Sequence, residues 1–87
     1  MITFEELAKY VADDFRATMR EENFETFNEM AQCYWWDSKD IRDEVDAILV
    51  SSPYDAYIDD LDGSEVFLNG DTIPYRTFSR MFHNLLR

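Results

Sequence analysis

The stretch Glu65-Val66-Phe67-Leu68-Asn69-Gly70-Asp71-Thr72-Ile73-Pro74-Tyr75 constrains the fold of this 87-residue chain more than any other. Two runs that favour strands flank Asn-Gly, the pair that supplies the two positive-φ residues of a type I′ turn, so the stretch predicts a β-hairpin. Pro74 has no N–H to donate, which puts the second strand at an edge or ends it there. Before Gly63 the apolar period is helical. Phe4, Leu7, Ala8, Val11, Phe15 and Met19 follow the capping box Thr3/Glu6 and predict a helix over about 4–20. Asn23 is the expected cap of a second helix, with Phe24, Phe27, Met30, Ala31 and Tyr34 on one face, running to Trp35 or Trp36.

Asp37 and Ser38 are both good N-caps for a third helix, whose buried stripe is Ile41, Val45, Ile48 and Leu49. Ser52-Pro53 reads as a cap followed by proline at the first helical position, and predicts a short fourth helix over about 53–60. Strand is the competitor there, because Tyr54, Tyr57 and Ile58 favour it. Thr77 is the expected cap of a last helix carrying Phe78, Met81, Phe82, Leu85 and Leu86 on one face. The expected fold class is therefore α+β. It is one mostly helical, compact domain over 1–87 with a C-terminal hairpin (about 65–75) and a closing helix. The expected core is Leu7, Val11, Phe15, Phe27, Tyr34, Ile41, Val45, Ile48, Phe67, Phe78, Phe82 and Leu85.

With 46% apolar residues, 16% aromatic residues and two glycines, the chain has the composition of a folded protein rather than a disordered one. Its charge is the unusual property. Nineteen acids against eight bases leave a net charge of −11, which argues against nucleic acid or an anionic membrane as a direct ligand. The excess is concentrated in the middle. Residues 37–71 hold eleven acids and two bases, whereas residues 72–87 hold three arginines and no acid. Asp37, Asp40, Asp43, Glu44 and Asp46 lie off the apolar stripe of the third helix and are expected to face water. Asp55, Asp59, Asp60, Asp62 and Glu65 continue the run towards the hairpin. Any one of these carboxylates reads more simply as a solubilising surface group. The run as a whole carries a self-repulsion cost that asks for a reason. Carboxylates at helical spacing stand about 5–6 Å apart at Cβ, a scale close to that of phosphates along a nucleic-acid strand. Such a row suits a basic groove built for a nucleic-acid backbone.

Other chemistry is weakly signalled. His83 is the only histidine and Cys33 the only cysteine, which leaves no metal site of the usual spacing and no evident catalytic pair. No cofactor is implied. Aligning Asp59-Asp60-Leu61-Asp62-Gly63-Ser64-Glu65 with a calcium-binding loop places Ile58 at the first ligand position and Asn69 at the last, so the alignment fails at both ends. Trp35 and Trp36 read most simply as both covering the short core. Helical geometry otherwise sends one into the core and leaves the other near the surface, and Trp36, beside Asp37, is grouped with the partner-binding residues as a hot-spot candidate. The lone cysteine favours a reducing compartment. No apolar run exceeds four residues, and the first residues lack the pattern of a signal peptide, so the cytoplasm is the expected location.

Two families are similar to parts of this pattern. Asp37-Ser38 at a helix start, with Ile41 and Val45 behind it, resembles the phosphopantetheine attachment site of acyl carrier proteins, which implies a carrier modified on Ser38. Lys39 stands where that motif has leucine, and the hairpin has no counterpart in a four-helix carrier. In size, acidity, single cysteine and aromatic richness the whole chain resembles the small acidic inhibitors encoded by bacteriophages and mobile elements, the anti-restriction and anti-CRISPR proteins that often mimic DNA. That resemblance implies a non-enzymatic, stoichiometric blocker of a basic nucleic-acid-binding protein of restriction or CRISPR effector type, acting in the host bacterial cell. A third reading is a homo-oligomer, a homodimer for instance, that uses its aromatic residues as the interface.

Overall fold

The computed structural model describes residues 1–59 and 61–87. Its elements run α1 (Phe4–Glu21), α2 (Phe27–Cys33), α3 (Ser38–Ser51), β1 (Ala56–Ile58), β2 (Glu65–Leu68), β3 (Asp71–Pro74) and α4 (Tyr75–Leu85). The expected α+β class is the one observed. The three strands form an antiparallel sheet in the order β1-β2-β3. In the hairpin, Leu68 pairs with Asp71 across Asn69 (φ 52°) and Gly70 (φ 87°), the two positive-φ residues that a type I′ turn requires.

Local chemistry sets most helix ends. The Thr3 hydroxyl accepts from the Glu6 N–H at 3.1 Å while Glu6 accepts from the Thr3 N–H, which closes the predicted capping box of α1. Asp37 caps α3 in the same way, with Asp40 as its reciprocal partner. Asn23, however, is not a cap. It takes φ 60° just past the end of α1, where its N–H donates to the Arg20 carbonyl and the N–H of Phe24 donates to the Met19 carbonyl. This is the Schellman ending, and asparagine tolerates the left-handed conformation it needs. Thr26 caps α2 instead, so that helix is shorter than the periodicity predicts.

Residues 53–59 do not form the fourth helix predicted over about 53–60, whose last residue lies outside the described ones. Ser52 closes α3 by donating to the Leu49 carbonyl at 2.6 Å, and the chain then extends into β1, which pairs with β2 from Ala56↔Leu68 to Ile58↔Val66. The strand-favouring residues win because a ready-made partner strand supplies their hydrogen bonds. Thr77 likewise caps nothing. β3 runs directly into α4, the N-cap is Pro74, and the Tyr75 N–H donates to the Ser64 carbonyl at 2.8 Å.

The core joins one face of the sheet to α1, α2, α3 and α4. Leu7, Val11, Phe15, Phe27, Val45, Phe78 and Phe82 are buried as expected, together with Met30, Leu49, Ile58, Val66 and Leu68. Ile41 and Ile48 are half-buried against them. Three expected core residues lie elsewhere. Phe67 has the wrong parity: Val66 and Leu68 point inward, so Phe67 faces out and stacks on Tyr57 with ring centroids 4.8 Å apart. Tyr34, at the end of α2, and Leu85, the last residue of α4, are 40% and 39% exposed, because a helix end projects beyond the face that packs. No helix among the described residues is long and apolar enough to cross a membrane.

Candidate functional site

The predicted acidic residues divide by the work their side chains already do. Asp37 and Asp40 form the α3 cap, and the hydrogen bond from the Asp40 N–H holds the exposed Asp37 carboxyl below its ordinary pKa of 3.8. Asp46 does not face water as expected. It is half-buried, and its Oδ1 accepts from the Ile58 N–H at 2.9 Å. That N–H lies on the open edge of β1, where no strand can receive it, so Asp46 ties α3 to the sheet. Asp59 accepts from the Leu61 N–H and Asp62 from the Ser64 N–H, each at 2.9 Å, which shapes the loop before β2. The Ser64 contacts hold Asp62 below its ordinary pKa too. Asp60 lies outside the described residues.

Arg42 reaches over this loop. Its guanidinium packs so closely on buried Gly63 (φ 68°) that a Cβ there would stand 2.6 Å from its Cζ. Lys39, Arg42, Asp43, Asp46, Asp59 and Asp62 border an open cleft of about 300 Å³ between α3 and the loop. Two cations therefore sit within the acidic stretch itself. Among the described residues no group of three or more His, Cys, Asp or Glu side chains could hold a metal ion.

In the predicted run, the carboxylates of Asp43, Glu44 and Asp55, which are exposed, and of Glu65, half-buried on β2, accept no backbone hydrogen bond among the described residues. Asp43 shares its charge with Lys39 at 3.0 Å. The only other ion pair among the described residues is Lys9–Asp13, also on the surface. Glu21, Glu22 and Glu25, between α1 and α2, add exposed charge outside the predicted run. Ser38 is the exposed first residue of α3.

The tryptophans occupy the reverse of the assigned places. Trp36 is half-buried and packs on the core, with its ring 6.3 Å from Phe15 and 6.5 Å from Phe27, and stacks on Tyr34 at 5.3 Å. Trp35 is 89% exposed at φ 60°. Its N–H donates to the Gln32 carbonyl and that of Trp36 to the Ala31 carbonyl, a second Schellman ending with a tryptophan in the position glycine normally fills. The Glu22 carboxylate, within hydrogen-bonding reach of the Tyr34 hydroxyl, pushes that phenol above its ordinary pKa. The signal for Trp35 in the sequence is a missing glycine: no residue from Cys33 to Trp36 suits a left-handed helix ending, so a bulky one must take it.

His83 is half-buried, with its ring 4.5 Å from Phe82 and 5.3 Å edge-on from Phe27, and Cys33 is exposed. Comparison of the chain with protein-family models, with curated proteins and with solved structures gives no match.

Proposed function

We propose that this protein is a non-enzymatic acidic binding protein that occupies the basic groove of a nucleic-acid-binding partner, its carboxylates standing in for backbone phosphates. One observation carries the reading: of the eighteen acidic residues among those described, only Asp13 and Asp43 are ion-paired. An acidic surface that merely needed balance would place its own cations against its carboxylates. Here residues 37–71 hold Lys39 and Arg42 against eleven acids, while Arg76, Arg80 and Arg87 are gathered at the C-terminal end of the chain, on and after α4. Uncompensated charge repels itself within the molecule and attracts a basic groove outside it. The partner class that fits is a DNA- or RNA-binding effector of restriction or CRISPR type in a bacterial cell.

Competition measures this directly. A basic DNA-binding effector is loaded with labelled duplex and titrated with the protein across a salt series. The variant Asp43→Asn/Glu44→Gln/Asp55→Asn removes three exposed charges and leaves the caps and the Asp46 tie intact. Wild type should displace the duplex, less effectively as salt rises, since exposed charges are screened beyond about 8–10 Å near physiological ionic strength. The variant should associate more slowly and show a flatter salt dependence. Equal displacement by the folded variant at every salt concentration would reduce the acidic surface to a solubilising one.

A further inference from the structure

Trp35 combines three features that no contact among the described residues explains. It holds the left-handed conformation at a helix ending, where glycine serves without strain and a bulky side chain is disfavoured. It leaves 89% of its surface in water although its neighbour Trp36 is packed on the core. It belongs to no aromatic pair among the described residues, while its neighbours Tyr34 and Trp36 stack on each other. Strain and exposed apolar surface at one residue are retained where something outside the chain uses them.

The surroundings state what that partner carries. Glu22 acts electrostatically on Tyr34, the residue before Trp35, and Asp37 follows two residues after it in the chain. Both are exposed, and neither is ion-paired among the described residues. An exposed aromatic ring on a chain of net charge −11 attracts a cation that can stack. Arginine suits it better than lysine, because a planar guanidinium covers the ring while its N–H groups reach carboxylate oxygens at the edge. We propose that Trp35 anchors an arginine side chain of the basic partner, with Glu22 and Asp37 at the rim. This rests on the reading of the acidic surface given above. It adds a short-range contact that governs dissociation to the long-range attraction that governs encounter.

The test uses fluorescein-labelled oligoarginine and oligolysine peptides of equal length, with binding read by anisotropy across a salt series. Trp35→Gly is the informative variant, since glycine accepts this backbone without strain and the fold is retained. Wild type should prefer the arginine peptide. Trp35→Gly should lose roughly three- to thirty-fold of that affinity, keep the salt slope, and bind both peptides alike. If Trp35→Gly binds the arginine peptide as wild type does, Trp35 is no anchor, while the acidic-surface reading stands. If neither peptide binds wild type at low salt, the acidic-surface reading itself fails and takes the anchor with it. Sedimentation of both proteins covers the remaining occupant: a wild-type dimer that Trp35→Gly dissolves, without a preference for arginine, assigns the indole to a second copy and overturns the proposal.

Discussion

A single backbone angle separates the two tryptophans. Trp36 contributes ring area to the core, whereas Trp35 spends its position closing a helix. A non-glycine residue in the left-handed region costs roughly 1–2 kcal/mol. Trp35→Gly should therefore raise stability by about 1 kcal/mol in chemical denaturation, the same substitution that should weaken binding. A variant less stable than wild type would mean that the indole packs on something and is not held in reserve. His83 is a second informative residue. Burial against Phe82 and Phe27 pushes its pKa below the ordinary 6.5, so near that pH the unfolded chain binds more protons than the native one. Its contribution to stability is thus full above 6.5 and declines as pH falls below 6.5 towards the native value. Denaturation midpoints followed from neutral to mildly acidic pH should show this decline in wild type, and His83→Phe should flatten it.

At the scale of elements, α3 is where predicted function and observed architecture meet. The helix is held at its start by the Asp37/Asp40 cap, at its end by Ser52, and along its side by Asp46 on β1. Carboxylates that look alike in sequence are thus divided between structure and surface within one helix. Asp46→Ala would leave the Ile58 N–H at the open strand edge without its acceptor and should cost about 1–3 kcal/mol in thermal or chemical unfolding. Asp46→Asn keeps an acceptor oxygen and should cost less. Glu44→Gln, two residues away and exposed, should leave stability within about half a kcal/mol of wild type. An Asp46→Ala variant as stable as wild type would return Asp46 to the binding surface. The hairpin was legible because Asn-Gly leaves few alternatives. β1 was legible only as the competitor to a helix, because three residues carry no period of their own and exist only through pairing with β2.

Across the whole molecule, a net charge of −11 on 87 residues works against compactness and in favour of encounter with a cation-rich surface. Both consequences are screened by the same ions. The Asp43→Asn/Glu44→Gln/Asp55→Asn protein should accordingly be the more stable one at low salt and lose that advantage at high salt, in step with its flatter binding curve. If stability and binding respond to salt independently, the binding energy comes from short-range contacts such as the one assigned to Trp35.

The sequence by itself determined whatever is local. The capping boxes, the helical stripes of α1 and α4, the type I′ turn and the α+β class all follow from interactions within a few residues. Tertiary structure decided the questions that depend on what lies opposite. Val66 and Leu68, not the larger Phe67, enter the core because the parity of β2 is set by the layer it covers. Asp46 is structural and Glu44 is not because only one of them meets a strand edge, a distinction invisible in two acidic side chains two residues apart on one helix. Trp35 rather than Trp36 remains outside because a helix must end somewhere, and the packing of α2 on Phe15 and Phe27 left that ending to the first of two identical side chains.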